Sequence, residues 1–349
     1  MSEVSEFVRE AVRRLAPYRC ARDETLEGVL LDANENPYPR VYDGVALNRY
    51  PDPLQRRLRQ ELANYVGLGP EWILAGSGSD EVLDWIFKTF ELSGGIVVVE
   101  PTYGMYRVLA DLYEVPVVQL QLGVEYRFCA ELLRDVPPGP RLLFLCSPNN
   151  PTGTLLDPGE IRRTLEKWEG LVVLDEAYIE FSGAPSLAEW VEEYPRLLVL
   201  RTLSKAFGRA GMRLGYVVAQ PELVDYFTKV KAPYNLNAWV QEEGVRALRD
   251  RSRLAAEVRA IVEERERMAA RLAAISGVQQ VFPSRANFLL FRCSRAREVW
   301  ESLFREGIVV RDRSSVPGLD GCIRVSVGRP EENELFLDRL RHHLERLAT

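Results

Sequence analysis

The chain has 349 residues, 46% hydrophobic and 28% charged, which is ordinary globular composition with material for about two domains. Its net charge of −6 includes no basic block, which argues against a nucleic-acid partner. The histidines are His342 and His343 alone, near the C-terminus in a charged helical stretch, which argues against histidine-ligated metal and Ser-His-Asp chemistry.

The N-terminal "MSEVSEFVREAVRRLAPY" carries charges throughout and has no apolar core of a signal peptide. It reads as an amphipathic helix, followed by a loop-like "DANENPYPR". These first 45 residues are expected to pack on a second unit or on a partner chain. From about Pro70 to Ala219 short apolar runs alternate with helical patterns. "GGIVVVE", "RLLFLCSP", "GLVVLDEAY", "RLLVLRTLS" and "LGYVVAQ" read as strands, and "DEVLDWIFKTF", "MYRVLADLY" and "GEIRRTLEKWE" as helices. Continuous apolar strands separated by helices imply an α/β fold with a mostly parallel sheet covered on both faces. Ligands of such sheets sit beyond the carboxyl ends of the strands.

From about Asn235 a long charged helical stretch runs to about Ala274. Within it, "RAIVEERERMAARLAA" reads as a solvated helix face. "ANFLLFR" and "GCIRVSVG" then read as strands and "EENELFLDRLRHHLERLA" as a closing helix, giving a smaller α+β unit. The expected division is an N-terminal arm and part of the small domain (1–45), a large domain (46–235) and a small domain (236–349). No run of about 18 apolar residues occurs. Cys20, Cys129, Cys146, Cys293 and Cys322 are odd in number, widely spaced and without a CxxC pair, which fits a reduced cytoplasmic protein.

Five segments carry candidate chemistry. "GLVVLDEAY" puts Asp175 at the carboxyl end of a buried strand. "AGSGSDEVLDWIF" places small residues before a helix, an anion cradle or a simple cap, with Ser77 and Asp80 as a possible capping box. It lacks the Gly-Lys-Ser/Thr of a Walker loop and the third glycine of GxGxxG. "CSPNNPTG" is a rigid loop that can aim Asn150 into the crevice. "PTYGMY" offers Tyr103 for stacking on an aromatic ring. In "RTLSKAFGRAGMRLG", Lys205 stands out because lysine otherwise occurs only at 88, 167, 229 and 231. The Ser-x-x-Lys arrangement of β-lactamases fails, since Thr202 stands where the serine belongs. A lysine able to condense with an aldehyde, an aspartate able to pair with a pyridinium nitrogen, and a helix start with Ser204 and Arg213 able to hold a phosphate together specify pyridoxal phosphate.

Taken in order, "LAPYRCAR", "DANENPYPR", "LNRYPDP", "GSGSDE", "PTYGMY", "CSPNNPTG", "VVLDEAYIEF", "LRTLSKAFGRAGMRLGY", "ANFLLF" and "IVVRDRSSVPGLDGCIRVSVG" resemble the fold-type I, class I/II pyridoxal-phosphate-dependent aminotransferases. Within them they are most similar to the histidinol-phosphate aminotransferase family. The resemblance covers essentially the whole chain and implies a seven-stranded sheet in the large domain. It implies that Lys205 forms the Schiff base and later moves the proton, and that Asp175 binds the pyridine nitrogen. Asn150 and Tyr178 would bond the 3′-oxygen, and Tyr103 would stack on the ring. The backbone groups of Ser79 and Asp80, with Thr202, Ser204 and Arg213, would hold the phosphate. Tyr50 would reach the cofactor of the other subunit of a homodimer. Arg324, assisted by Arg311, would bind the substrate anion, with Tyr18 and Asn36 near its side chain. Pro39 stands where the family often has glycine, and Met212 where leucine is common. The alternatives are an aminotransferase for aromatic or other amino acids, a phosphothreonine decarboxylase, and a regulator that borrows the fold to bind DNA. Arg201 and Arg209 acquire no role in this scheme and read as surface or structural charges.

Overall fold

The computed structural model describes residues 4–18 and 20–348. The strands are β1 (Val41–Tyr42), β2 (Val45–Ala46), β3 (Ile73–Gly76), β4 (Ile96–Glu100), β5 (Val117–Gln121), β6 (Leu142–Cys146), β7 (Leu171–Asp175), β8 (Leu197–Thr202), β9 (Gly215–Val218), β10 (Val278–Val281), β11 (Phe288–Cys293), β12 (Arg311–Asp312) and β13 (Cys322–Ser326). The α-helices are α1 (Glu10–Arg14), α2 (Arg56–Val66), α3 (Gly78–Thr89), α4 (Met105–Leu112), α5 (Pro158–Lys167), α6 (Pro221–Val230), α7 (Ala238–Arg249), α8 (Arg251–Ala273), α9 (Ala296–Arg305) and α10 (Pro330–Ala348).

Seven strands form one sheet in the order β3-β9-β8-β7-β6-β4-β5. Pairing is parallel throughout except on either side of β9, so β9 alone runs against the rest. The five strands expected from the apolar runs are all present; β3 and β5 complete the sheet. The continuous apolar runs resolve into two faces by the two-residue period of a strand. Leu143, Leu145, Val172, Leu174, Leu197 and Val199 enter the core on one side. Leu142, Phe144, Leu171, Val173, Leu198 and Leu200 enter the core on the other. Each such side chain contributes about 1.5–3 kcal/mol by leaving water, so the three central strands anchor the domain.

The second sheet is antiparallel, in the order β10-β11-β13-β12. Leu289, Phe291, Ile323 and Val325 pack on Met268, Leu272, Val299, Leu303, Phe336 and Leu340 from α8, α9 and α10. The alternate residue Arg324 is left on the opposite face, toward the large sheet.

Two placements differ from the sequence reading. Val4, Phe7, Val8 and Val12 pack on the α3 side of the large sheet, and Val8 bridges Phe90. The N-terminal segment is covered by that apolar surface rather than by the small sheet. In α8, Glu264 and Arg265 are buried, not solvated. The helix begins against the large core, through Leu254, Val258 and Ile261, and ends in the small one, so its middle has little free surface. The two charges are satisfied locally. Arg265 donates to the carbonyls of Phe181 (3.2 Å) and Ala286 (3.0 Å), and Glu264 accepts from Asn333 Nδ2 (2.9 Å).

Candidate active site

A cavity of about 300 Å³ opens at the carboxyl ends of the central strands. Such ends gather side chains from sequence-distant loops because every parallel strand delivers its loop to the same edge. The register sets Cys146 beside Asp175, and both line the cavity. Thr202 ends β8, and the chain then turns through Ser204 and Lys205. Gly76 ends β3 and leads into α3. There the expected capping box is replaced: Ser77 makes no side-chain cap, and Glu81 reaches back to accept from its N–H.

Asp175 is 4% exposed. Its Oδ2 accepts from Tyr106 Oη at 2.7 Å and its Oδ1 from the Ala177 N–H at 3.0 Å. Burial pushes its carboxyl up, and these two bonds and the charge of Lys205 oppose that. Tyr106 is itself fully buried and stacks on Phe144 with ring centroids 4.6 Å apart. Lys205 Nζ lies 5.5 Å from the centre of the Tyr178 ring. Its ammonium is held below the ordinary lysine value by burial and then by the charge of Arg324. Burial likewise raises the phenols of Tyr103 and Tyr178, which stay protonated as donors.

At the α3 end, Arg213 donates to Ser204 Oγ (3.4 Å) and to Asp80 Oδ2 (3.2 Å), while Tyr103 Oη donates to Asp80 Oδ1 (3.1 Å). Arg213 holds φ of 55°, a conformation that non-glycine residues seldom keep without a reason. Two glycines make this corner possible. A Cβ on Gly78 would lie 2.5 Å from Arg213 Nη2, and one on Gly215 would lie 2.3 Å from the Ser79 nitrogen.

The facing wall comes from the small sheet. Arg311 and Arg324 are direct cross-strand partners, so their side chains project from the same face. Arg324 donates to Asn150 Oδ1 and lies 5.2 Å over the Phe288 ring. Arg313 lines the cavity beside them. Among the described residues none of these three arginines pairs with a carboxylate.

The cavity thus brings together Ser79, Asp80, Tyr103, Asn150, Asp175, Tyr178, Thr202, Ser204, Lys205, Arg213, Arg311 and Arg324. It does not include Tyr18, Asn36 or Tyr50. Tyr18 lines a separate cavity with Cys20 and Lys231, Tyr50 lines another with Asn34 and Tyr234, and Asn36 is exposed. Arg313, Cys146, Ala177, Ala210 and Tyr106 were not anticipated. Arg313 was legible as the residue two beyond Arg311, the spacing that returns a strand to the same face. Arg201 is buried and pairs with Glu180 at 2.7 Å, a structural charge. Arg209 pairs with Glu243 at 2.9 Å.

Residues 18–340 match the family model described as aminotransferase class I and II. The chain belongs to that family. This aminotransferase is 41% identical over 347 residues to a protein named histidinol-phosphate aminotransferase from Parabacteroides distasonis, covering 98% of this chain and 99% of the relative. It is 40% identical over 349 residues to one of the same name from Bacteroides fragilis, covering 98% and 100%. Its fold is similar to the histidinol-phosphate aminotransferase of Sinorhizobium meliloti in complex with pyridoxal-5′-phosphate, with TM-score 0.80, 28% identity and coverage of 86% and 83%. An L-threonine-O-3-phosphate decarboxylase from Porphyromonas gingivalis is also similar, with TM-score 0.75, 25% identity and coverage of 86% and 91%.

Proposed function

We infer that this aminotransferase exchanges an amino group between histidinol phosphate and 2-oxoglutarate, giving imidazole acetol phosphate and glutamate reversibly, with pyridoxal phosphate held in the Lys205 cavity. The observation that carries the reading is one cavity with Lys205 and buried Asp175 on one wall and, on the other, three arginines without carboxylate partners among the described residues. The near-full-length relatives narrow it to histidine biosynthesis.

The residues present fit the cofactor. Asp175 accepts two hydrogen bonds, and a carboxylate has room for about four, so a third donor can be accommodated. Its protein donors are both neutral, and a buried carboxylate favours a cationic partner, which a protonated ring nitrogen would be. The Arg213–Ser204 corner and the start of α3, kept open by Gly78 and Gly215, suit a phosphate. Ser79, Asp80 and Thr202 complete that corner in this reading. Asn150 and Tyr178 would bond the ring oxygen and Tyr103 would cover the ring face.

Pyridoxal phosphate, when bound, supplies a carbonyl that condenses with amines and a ring that takes up the electrons left by a departing α-proton. The chain's own residues do the rest. Lys205 Nζ would take the proton from the substrate α-carbon and later return one. Its lowered affinity for protons favours the neutral amine that a base requires. Asp175 would keep the ring nitrogen protonated. Arg324 and Arg311 clamp the anionic group of either substrate, since a planar guanidinium fork fits phosphate and carboxylate alike.

The active unit in this reading is a cytoplasmic homodimer in which Tyr50 of one copy reaches the cofactor phosphate of the other, with Tyr18 and Asn36 near the substrate side chain. The arm before α2 supports it: Val29, Leu31, Tyr38, Val41 and Tyr42 are exposed, an apolar surface suited to a second copy. No helix among the described residues is long and apolar enough to cross a membrane.

The decisive experiment compares kcat/KM for histidinol phosphate and for phenylalanine, each with 2-oxoglutarate. A clear preference for histidinol phosphate with stoichiometric glutamate supports the reading. An equal or better value for phenylalanine would replace it with an aromatic aminotransferase. Carbon dioxide release from phosphothreonine, without glutamate, would replace it with the decarboxylase.

A further inference from the structure

Tyr50 lies outside the cavity of its own chain, yet its backbone is held by a buried cluster of charge. Arg22 is 1% exposed and the Glu35 side chain 4%. Arg22 Nη2 donates to Glu35 Oε2 at 2.7 Å, and its Nε donates to Asp32 Oδ2 at 3.2 Å. Arg49 Nη1 donates to the same Glu35 oxygen at 2.7 Å. The other Glu35 oxygen accepts the Tyr50 backbone N–H at 2.5 Å, and Arg22 Nη1 donates to the Tyr50 carbonyl at 3.3 Å. Tyr50 is therefore gripped on both sides of its Cα. Its ring stacks on Tyr234, with centroids 4.5 Å apart, while staying 49% exposed.

Burying an ion pair of this kind seldom adds net stability over apolar packing. What it does supply is fixed geometry. Burial alone would raise the Glu35 carboxyl; the Tyr50 N–H, Arg49 and Arg22 together outweigh it and hold it down to about 2, so the cluster keeps its charge at any working pH.

We propose that Glu35, with Arg22, is a positioning residue that presents Tyr50 to the cavity of a second copy, so that its contribution to catalysis is made in trans. This rests on the reading that the arm of one copy completes the cofactor site of the other. Asn36, directly after Glu35, is carried in the same presentation; its carbonyl is held by Asn48 Nδ2 at 2.9 Å.

The test is a mixed dimer assembled from two differently tagged chains, one Lys205→Ala and one Glu35→Gln. Each homodimer is measured first: Lys205→Ala is inactive, and Glu35→Gln binds cofactor roughly tenfold more weakly, the cost of a misplaced contact. In the mixed dimer one cavity combines Lys205 with an intact arm. The expected result is half an equivalent of cofactor bound at wild-type affinity, with turnover returning to about half the wild-type value per dimer. Weak binding at every site in the mixed dimer overturns the proposal and makes Glu35 a structural residue of its own chain. A parallel mixed dimer of Lys205→Ala with Tyr50→Phe separates the two ideas. If that pair regains a tight site and the Glu35→Gln pair does not, shared sites stand and the clamp falls. If neither regains one, or the protein sediments as a monomer, the shared-site reading itself fails. Should Glu35→Gln not fold, Arg22→Lys is the milder lesion of the same clamp, with the same outcomes.

Discussion

On the wall built by the central sheet, polar side chains are tied to their own chain: Asp175 to Tyr106 and Ala177, Arg213 to Ser204 and Asp80. On the wall built by the small sheet, Arg311, Arg313 and Arg324 share the cavity with no carboxylate partner among the described residues. The first wall is arranged before anything binds, as suits a group that stays. The second carries uncompensated positive charge, as suits anions that come and go. A site that must hold one cofactor and exchange two substrates needs both kinds of surface, and the fold supplies them from different sheets.

The largest effect breaks the first wall. Lys205→Ala should lower turnover by about 10⁴-fold or more and abolish the near-visible absorbance of the loaded enzyme. Steady-state assay and an absorbance spectrum check both; full turnover in this variant would remove Lys205 from the chemistry. Next comes the second wall. Arg324→Gln should lower kcat/KM for both substrates roughly tenfold to a hundredfold while cofactor stays bound, because a charged hydrogen bond to each ligand is lost. An unchanged KM for both substrates would end the idea of a shared clamp. The same variant tests cross-talk between the walls. Lys205 is depressed by burial and then by the charge of Arg324. Without that charge the ammonium persists to higher pH. Only the neutral amine attacks a carbonyl, so the rise of cofactor capture with pH should move to higher pH, measured by stopped-flow on the apo-protein.

A smaller effect separates position from chemistry on the first wall. Tyr106→Phe removes the donor that opposes the burial of Asp175, so Asp175 holds its own proton more readily. We expect kcat to fall about fivefold to tenfold, less than the full worth of a hydrogen bond to a charged acceptor because the Ala177 N–H still supports the carboxylate. Cofactor affinity should fall with it. In an Asp175→Asn background the same change should have little further effect, which a double-mutant cycle measures. Equal effects in both backgrounds would make Tyr106 a packing residue only.

The first wall was largely legible in the sequence, and the reason is local. Asp175, Asn150 and Thr202 each close or follow an apolar run, and an apolar run between helical patterns marks both the strand and its carboxyl end. β3 and β5 were harder to read. "ILAG" is only four residues long, and "VVQLQ" carries exposed glutamines as an edge strand. Tyr106 was missed because its role depends on its ring lying over Phe144 of β6 and its hydroxyl reaching Asp175 at the end of β7, a tertiary fact. The buried charges of α8 were missed because a mixed-charge helix reads as solvated unless its neighbours on both sides are known. The arm was legible in its residues, and neither Tyr50, expected to serve a second subunit, nor Asn36 lines the cavity of its own chain.

Arg313 gives the finest test of the second wall. Its Nε is buried without a partner among the described residues, and its guanidinium is held below the ordinary arginine value by burial and then by Arg324 and Arg311. Such a charge is costly to the empty protein and is relieved only when an anion arrives. The phosphate of histidinol phosphate carries nearly two charges at neutral pH and each carboxylate of 2-oxoglutarate only one, so a single anionic group seated at Arg313 gives more relief when it is the phosphate. Arg313→Gln should therefore raise KM for histidinol phosphate about fivefold and change that for 2-oxoglutarate less, with kcat nearly unchanged. The apo-protein should lose no stability, and its Tm should stay level or rise. A falling Tm with equal KM changes for both substrates would mean that Arg313 supports the fold, leaving Arg311 and Arg324 as the whole of the exchanging surface.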